Sequence, residues 1–154
     1  MASVYDGFGT KIEYSDDDGT TWTPVGCIRD AIEVGPVEVE DIDITCHSTT
    51  DNFRKYAPGL VEPGEVTFDV LRAPGDTDDE ALYSIFGQEL LWKITYTNNT
   101  TEEFSGYVKS KGSNIPMGDG PMLTNITIKI NGKITMTTPG TPRTKKNGKA
   151  DAAK

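Results

Sequence analysis

The chain has 154 residues, a length that fits one ordinary domain with a buried core. A hydrophobic content of 35% argues against a disordered chain, and no apolar run reaches the ~18 residues that a membrane-spanning helix needs. The N-terminal segment has neither a basic region nor an apolar stretch, so we predict no signal peptide, synthesis in the cytosol and no membrane association.

The net charge of −9 is distributed unevenly along the chain. Residues 141–154 carry five basic side chains and one acidic side chain, a net of +4. The other 140 residues therefore carry ten basic and 23 acidic side chains, a net of −13, and such a body repels nucleic-acid phosphates. We predict one body over residues 1–137, including an N-terminal arm, and a basic, flexible tail over residues 138–154.

The sharpest local motif is SDDDGTTW at residues 15–22, which follows the Asp-box pattern S-x-D-x-G-x-T-W of sialidase propellers. It occurs once, and the chain is too short for a propeller. A calcium loop is excluded because its twelfth position, where a Glu is needed, is Cys27. We predict a structural hairpin turn between strands at Thr10–Ser15 and Trp22–Ile28. In it Asp17 holds the turn amides, Gly19 takes a positive φ, and Trp22 packs beneath.

The next predicted strand is Val37–Cys46, in which apolar and acidic residues alternate. The alternation slips by one residue at Asp41, which predicts a β-bulge. The following segment, His47–Gly64, contains many turn residues and is predicted to be a long loop. Because such a loop with aromatic and basic side chains is unusual in a compact domain, it suggests contact with a partner.

The second half of the chain is predicted to contain four strands and one helix. Glu65–Arg72 has Val66, Phe68 and Val70 on its inner face, and a hairpin is predicted from Leu91–Thr97 and Phe104–Ser110. Gly112–Pro121 is a second predicted loop. The segment Ile126–Met136 contains the hairpin signal Asn131-Gly132. We predict one long strand instead, because only a continuous strand places Ile126, Ile128, Ile130, Ile134 and Met136 on one face.

The helix is predicted from the sequence TDDE at residues 77–80, which matches a capping box with Thr77 as the N-cap. An apolar stripe with helical spacing follows, and Gly87 is the expected stop. The stripe consists of Ala81, Leu82, Ile85 and Phe86.

The cysteines and the histidine support neither a metal site nor catalysis. Cys27 and Cys46 are predicted to be buried, reduced thiols. Together with His47 they match no recognised zinc spacing, and His47 is the only histidine. No cofactor motif is present either, so we predict that the protein is not an enzyme and binds no cofactor or metal.

Four stretches carry a family resemblance when they are read in order. They are IEYSDDDGTTWTPVGCI, then VEVEDIDITCHSTTDNFRKYAPGLVEPGEVTFDV, then, beyond the capped helix, WKITY with FSGYVKSKG, and finally ITIKINGKITM. Their order and spacing resemble the major tail tube protein of long-tailed, siphovirus-type bacteriophages over roughly residues 8–137. The most telling parts are Ile42–Thr45 with His47, before FRKYAPGLVEPGEVTF, and the terminal IKINGKITM.

The resemblance implies a mainly β fold of two packed antiparallel sheets, a β-sandwich or small barrel with one flanking α-helix, as in type VI secretion tube proteins. It implies a structural virion protein that assembles in the host cytoplasm into stacked hexameric rings and forms the tail tube for DNA ejection. The implied partners are further copies of the chain and the tape measure, tail terminator and tail tip proteins. Double-stranded DNA would pass through without specific binding. The pattern favours a non-contractile tail.

The resemblance also suggests roles for two groups of residues. Glu38, Glu40 and Asp43 are candidates for lining a lumen that repels DNA phosphates. The loop His47–Gly64 and the segment before Thr10 are candidates for contacts between rings. The named residues of that loop are the apolar Phe53, Tyr56 and Leu60 and the basic Arg54 and Lys55. The alternative is that Phe53 and Tyr56 pack beneath their own loop.

Two other functions fit the same predicted fold. A tail terminator or head–tail joining protein would cap rings instead of polymerising. A carbohydrate-binding β-sandwich would use Trp22 and Trp92 as exposed platforms for sugar rings.

Overall fold

The computed structural model describes residues 7–48 and 50–139, so most of the predicted N-terminal arm and basic tail lies outside the described residues. The described chain contains nine strands and one helix. They are β1 (Lys11–Ser15), β2 (Thr23–Pro24), β3 (Ile28–Gly35), β4 (Glu38–Asp43), β5 (Tyr56–Glu62), β6 (Glu65–Leu71), α1 (Thr77–Ser84), β7 (Leu90–Thr95), β8 (Thr101–Asn114) and β9 (Leu123–Thr137).

The strands form two antiparallel sheets. Seven of them build the main sheet in the order β2-β1-β7-β8-β9-β6-β3, and β4 and β5 form a separate two-stranded sheet. The main sheet is curled. Residues of β1 and β3, near its two ends, line the same groove, which shows that the ends approach each other. The predicted class of a mainly β fold with two antiparallel sheets and one helix is confirmed.

The core lies inside the curl of the main sheet and follows the predicted alternation. Val66, Phe68 and Val70 of β6 are buried, and so are Trp92 and Ile94 of β7. The indole Nε1 of Trp92 donates a buried hydrogen bond of 3.1 Å to the carbonyl oxygen of residue 106, which satisfies the one polar atom of this side chain.

β9 is one continuous strand, as predicted. Ile126, Ile128 and Ile130 are buried on its inner face. Gly132 has a positive φ of 89° and lies in a bulge. In this bulge residues 132–134 of β9 stand opposite residue 104 of β8 alone. The bulge explains how a strand of 15 residues passes through a hairpin signal without turning.

Three predicted elements are wrong in part. The predicted strand Trp22–Ile28 is reduced to Thr23–Pro24, because Pro24 has no amide hydrogen to continue a ladder. The strand β3 was not predicted, since its alternation is interrupted at Asp30, whose φ is 62°.

In the predicted loop His47–Gly64, residues 56–62 form the strand β5. This strand contains a proline and a glycine, which edge strands tolerate. The predicted loop Gly112–Pro121 likewise begins within β8.

The helix α1 lies where predicted, but its N-cap is Asp76 and not Thr77. The Asp76 carboxylate accepts a hydrogen bond of 2.8 Å from the Thr77 amide. Of the predicted apolar stripe, Leu82 and Ile85 are buried, whereas Phe86 is half exposed. No helix in residues 7–48 or 50–139 is long and apolar enough to cross a membrane.

The correction of the helix cap generates a stability prediction. We expect Asp76→Ala to lower the free energy of unfolding by about 1 kcal/mol, because a helix amide loses its acceptor. Thr77→Ala keeps that acceptor and serves as the matched control, with a smaller loss. Urea denaturation followed by circular dichroism measures both. An equal loss in the two variants would contradict the assignment of Asp76 as the cap.

Candidate assembly surfaces

The turn at residues 15–22 is closed by hydrogen bonds from its own side chains. The Ser15 hydroxyl donates to the Asp17 carboxylate over 2.6 Å and accepts from the Gly19 amide over 2.9 Å. The same carboxylate accepts from the Thr21 amide over 2.8 Å. Asp18 and Gly19 both have positive φ angles, 56° and 87°. The motif therefore shapes a hairpin between β1 and β2, which pair antiparallel.

These hydrogen bonds hold the Asp17 carboxyl in its ionised form. The bond from Ser15, followed by those from Thr21, lowers the pKa of Asp17 from 3.8 to about 2. Trp22 packs against the turn, since a Cβ on Gly19 would lie 3.4 Å from its ring, and the Lys93 ammonium lies 4.3 Å from its ring centroid. The acidic turn is thus a folded unit with its own interactions.

The sheet of β4 and β5 forms a hairpin that stands apart from the core. Every residue of β4 is exposed, and β5 has no buried residue. Nevertheless the hairpin is rich in large apolar side chains. Eight of the seventeen exposed large hydrophobic residues in the described chain belong to residues 37–61: Val37, Val39, Ile42, Ile44, Phe53, Tyr56, Leu60 and Val61. An isolated two-stranded sheet is marginally stable at best, so this hairpin is suited to packing against another molecule.

The predicted bulge lies at the expected place in the pairing, but the extra residue is in β5. Val39 pairs with Val61 and Asp41 pairs with Pro58, so β4 advances two residues while β5 advances three. Gly59 makes this possible, because a Cβ at that position would lie 3.1 Å from the side chains of Glu40 and Ile42. The prediction that the slip is in β4 is wrong.

This register determines which faces carry the predicted lumen residues. Because β4 alternates without interruption, Glu38, Glu40 and Ile42 share one face, and Val39 and Asp43 share the other. The Asp43 carboxylate accepts a hydrogen bond from the Thr45 amide, and the bonds from Thr45 lower the pKa of Asp43. The three acidic candidates are all exposed but do not lie on one face.

Four of the predicted inter-ring residues, Phe53, Arg54, Lys55 and Tyr56, lie at or beside the turn end of this hairpin, whereas Leu60 lies within β5, in the bulge opposite Glu40. The amide and carbonyl of Lys55 both bond to the Thr45 hydroxyl, and this pair closes the hairpin next to its turn. Phe53 is 74% exposed and Leu60 82%, while Tyr56 is half exposed. Phe53 and Tyr56 therefore do not pack beneath their own loop. Arg54 and Lys55 are exposed as well.

The described residues contain no group of three or more His, Cys, Asp or Glu side chains placed to hold a metal ion. Cys27 and Cys46 form no disulfide, and the prediction that they are buried is wrong, because both are exposed. Trp92 is fully buried and cannot act as a platform for sugar rings, which contradicts that part of the carbohydrate-binding alternative.

Comparison with known families and curated proteins gives one match. The family described as "Lambda phage tail tube protein, TTP" matches residues 3–137 of this chain. No curated protein matches the sequence.

Solved structures show the same fold at low sequence identity. The tail of an empty gene transfer agent particle, with C6 symmetry, has a TM-score of 0.69 and 14% identity and covers 88% of this chain and 100% of its own. The SPP1 tail tube has a TM-score of 0.61 and 15% identity, over 88% of this chain and 80% of its own. The tube terminating cap of the anti-feeding prophage has a TM-score of 0.64 and 12% identity, over 90% and 93%.

The lowered pKa of Asp17 predicts a pH dependence of stability. A folded-state pKa below the unfolded value means that the ionised carboxylate stabilises the fold, fully above pH 3.8 and progressively less as the pH falls toward about 2. We expect Asp17→Asn to lower the thermal unfolding midpoint at pH 7, and the difference from wild type to shrink below pH 3.8. Thermal unfolding followed by circular dichroism at pH 7, 4 and 2.5 measures this.

Asp18→Asn is the matched control for this experiment. It removes the same charge from the next residue, whose side chain takes part in none of the hydrogen bonds described for this turn, and asparagine tolerates the positive φ of Asp18. A variant at residue 18 that loses as much stability as the variant at residue 17 would show that net charge, not the hydrogen bonds, matters.

Proposed function

The chain belongs to the lambda phage tail tube protein family, and we propose that it is a structural virion subunit that assembles into stacked rings and forms the tail tube. In this role it performs no catalysis and needs no cofactor. The observation that carries the proposal is the β4–β5 hairpin, whose apolar side chains are exposed in the single chain. Burial of these side chains between copies would provide the driving force for assembly.

The sheet edges support side-by-side association of subunits. β4 and β5 form a two-stranded sheet, so each of them has an edge without a strand partner in the described chain. Such edges pair readily with strands of another molecule. Pairing between neighbours would extend this sheet from subunit to subunit and form a closed wall. Six subunits per ring agrees with the C6 symmetry of the gene transfer agent tail.

The charge of the body is suited to a channel for DNA ejection. Residues 1–140 carry a net charge of −13, which repels phosphates and keeps DNA from binding as it passes. We assign the lumen to the face of β4 that carries Glu38 and Glu40. Asp43 lies on the opposite face with Val39, so it contacts protein instead of DNA in this arrangement.

We assign the turn end of the β4–β5 hairpin to contacts between successive rings. Phe53 and Tyr56 supply exposed apolar area there, and Arg54 and Lys55 supply positive charge that complements the acidic body of the next ring. Leu60, farther along β5, adds exposed apolar area to the same strand. Tape measure, tail terminator and tail tip proteins would act at the inside and at the ends of the tube.

A tail terminator is the second candidate function. The specific observation in its favour is the similar fold of the anti-feeding prophage cap, with a TM-score of 0.64. A terminator would bind the end of a tube without polymerising. Polymerisation of the purified chain therefore separates the two candidates.

Electron microscopy of the purified chain tests the tube directly. We expect rings or tubes of uniform bore. Leu60→Asp should raise the concentration needed for assembly by roughly tenfold or more, because a charge replaces an exposed apolar contact. Leu60→Met keeps the apolar contact and is the matched control, and circular dichroism checks the fold of both. A folded wild-type chain that stays monomeric would overturn the tube assignment.

A second experiment tests the lumen. The double variant Glu38→Lys with Glu40→Lys should fold and assemble but reduce DNA ejection from virions, because lysine ammonium groups would bind phosphates. Glu38→Gln with Glu40→Gln removes the charge without adding a positive one and should have a smaller effect. Asp43→Lys, on the opposite face, should impair assembly instead. Loss of assembly in the double variant with intact monomers would place Glu38 and Glu40 at an interface.

A further inference from the structure

An open groove lies where the β4–β5 hairpin joins the main sheet. It has a volume of about 820 Å³ and is lined by Val37 and Val61 from the hairpin and by residues 129–134 of β9, among them the apolar Ile130 and Ile134. The groove continues the exposed apolar surface of the hairpin, since Val37 and Val61 belong to both. An exposed apolar groove on a subunit that assembles is expected to bind a segment of another molecule.

The rim of the groove carries a net positive charge. Lys129, Lys133 and Glu62 all line it. Lys129 forms an ion pair of 2.7 Å with Glu62, whereas Lys133 forms no ion pair with the residues that the structure describes. A partner segment that combines apolar side chains with a carboxylate would therefore complement the groove in both polarity and charge.

The loop between β8 and β9 has this composition. We name residues 115–120, with the sequence IPMGDG, the tip loop. Met117 is fully exposed and Ile115 is two-thirds exposed. Asp119 is exposed as well and forms no ion pair within residues 7–48 and 50–139. Methionine is unbranched and polarisable, so its side chain adapts well to an irregular groove.

The tip loop cannot fill the groove of its own chain. It precedes Leu123 at the start of β9, whereas the groove is formed around residues 129–134 of the same strand. Eight residues of extended strand separate the two by roughly 25 Å. The pairing of β6 with β9 supports this separation, because Leu71 pairs with Leu123 near the tip loop and Glu65 pairs with Lys129 near the groove.

We propose that the tip loop of one subunit inserts into the groove of a subunit in the next ring, with Met117 and Ile115 against the apolar floor and Asp119 beside Lys133. The contact is head-to-tail, because two different surfaces meet, and a head-to-tail contact propagates from copy to copy. The proposal rests on the proposed function, since it names one contact by which tube subunits join.

Cross-linking tests the proposal. In a background with Cys27→Ser and Cys46→Ser, the pair Met117→Cys with Val61→Cys should give, after mild oxidation, a ladder of covalent multimers on a non-reducing gel. Each single variant should give dimers at most. Met117→Cys with Thr67→Cys is the matched control, because residue 67 lies in the middle of β6, outside the groove. No ladder from assembled tubes that carry the first pair would overturn the proposal.

Charge exchange gives an independent readout by light scattering. Asp119→Lys and Lys133→Glu should each slow elongation by roughly two- to fivefold, and the double variant should recover most of the wild-type rate. Met117→Asp should raise the assembly concentration by roughly tenfold or more, with the folded monomer retained. Additive losses in the double variant would contradict the pairing of Asp119 with Lys133.

The outcomes also separate this contact from the tube itself. Tubes that form with wild-type kinetics from the Met117→Asp variant would overturn the tip-loop contact and leave the tube assignment intact. A wild-type chain that never forms rings or tubes would overturn the tube assignment. The groove could instead hold residues 140–154 of its own chain. A thiol introduced at position 61 that reacts faster in the monomer after deletion of those residues would indicate that occupant and overturn the proposal.

Discussion

The pairing of β8 with β9 is the constraint on which the rest of the structure depends. Twelve cross-strand pairs run between the two strands and join the region around α1 to the region of the β4–β5 hairpin. β7 and β6 are built onto this pair from either side, and their inward side chains fill the core. Two bulges let strands of this length curl around that core. The surfaces at either end therefore keep a fixed distance and orientation.

The hairpin of β4 and β5 differs from the main sheet in its burial. Its strands bury little within the chain and leave apolar side chains exposed on both faces. In a subunit that acts alone, such a surface would favour aggregation. In a subunit that assembles, the missing burial is supplied by neighbours, so the hairpin gains stability together with the assembly. The main sheet therefore supplies the core on which folding depends, and the exposed hairpin supplies a surface for association.

The sequence predicted best where a strand has one buried face and one solvated face. β6, β7 and β9 show that alternation, and Ile126, Ile128 and Ile130 identify a single strand despite the Asn-Gly signal. β5 was missed because it buries neither face and contains Pro58 and Gly59, so its residues carry the signature of a loop. The site residues named from the sequence lie on the hairpin, but their faces depend on which strand holds the extra residue. Only the register between β4 and β5 shows that.

The placement of the tip loop and the groove at opposite ends of β9 gives each subunit a direction. Under the proposed contact, every assembly of such subunits has two chemically different ends, one with empty grooves and one with unused tip loops. Growth at the two ends would then differ in rate, and a protein that starts the tube could not also finish it. Polarity of the whole filament would follow from the separation of two short segments along one strand.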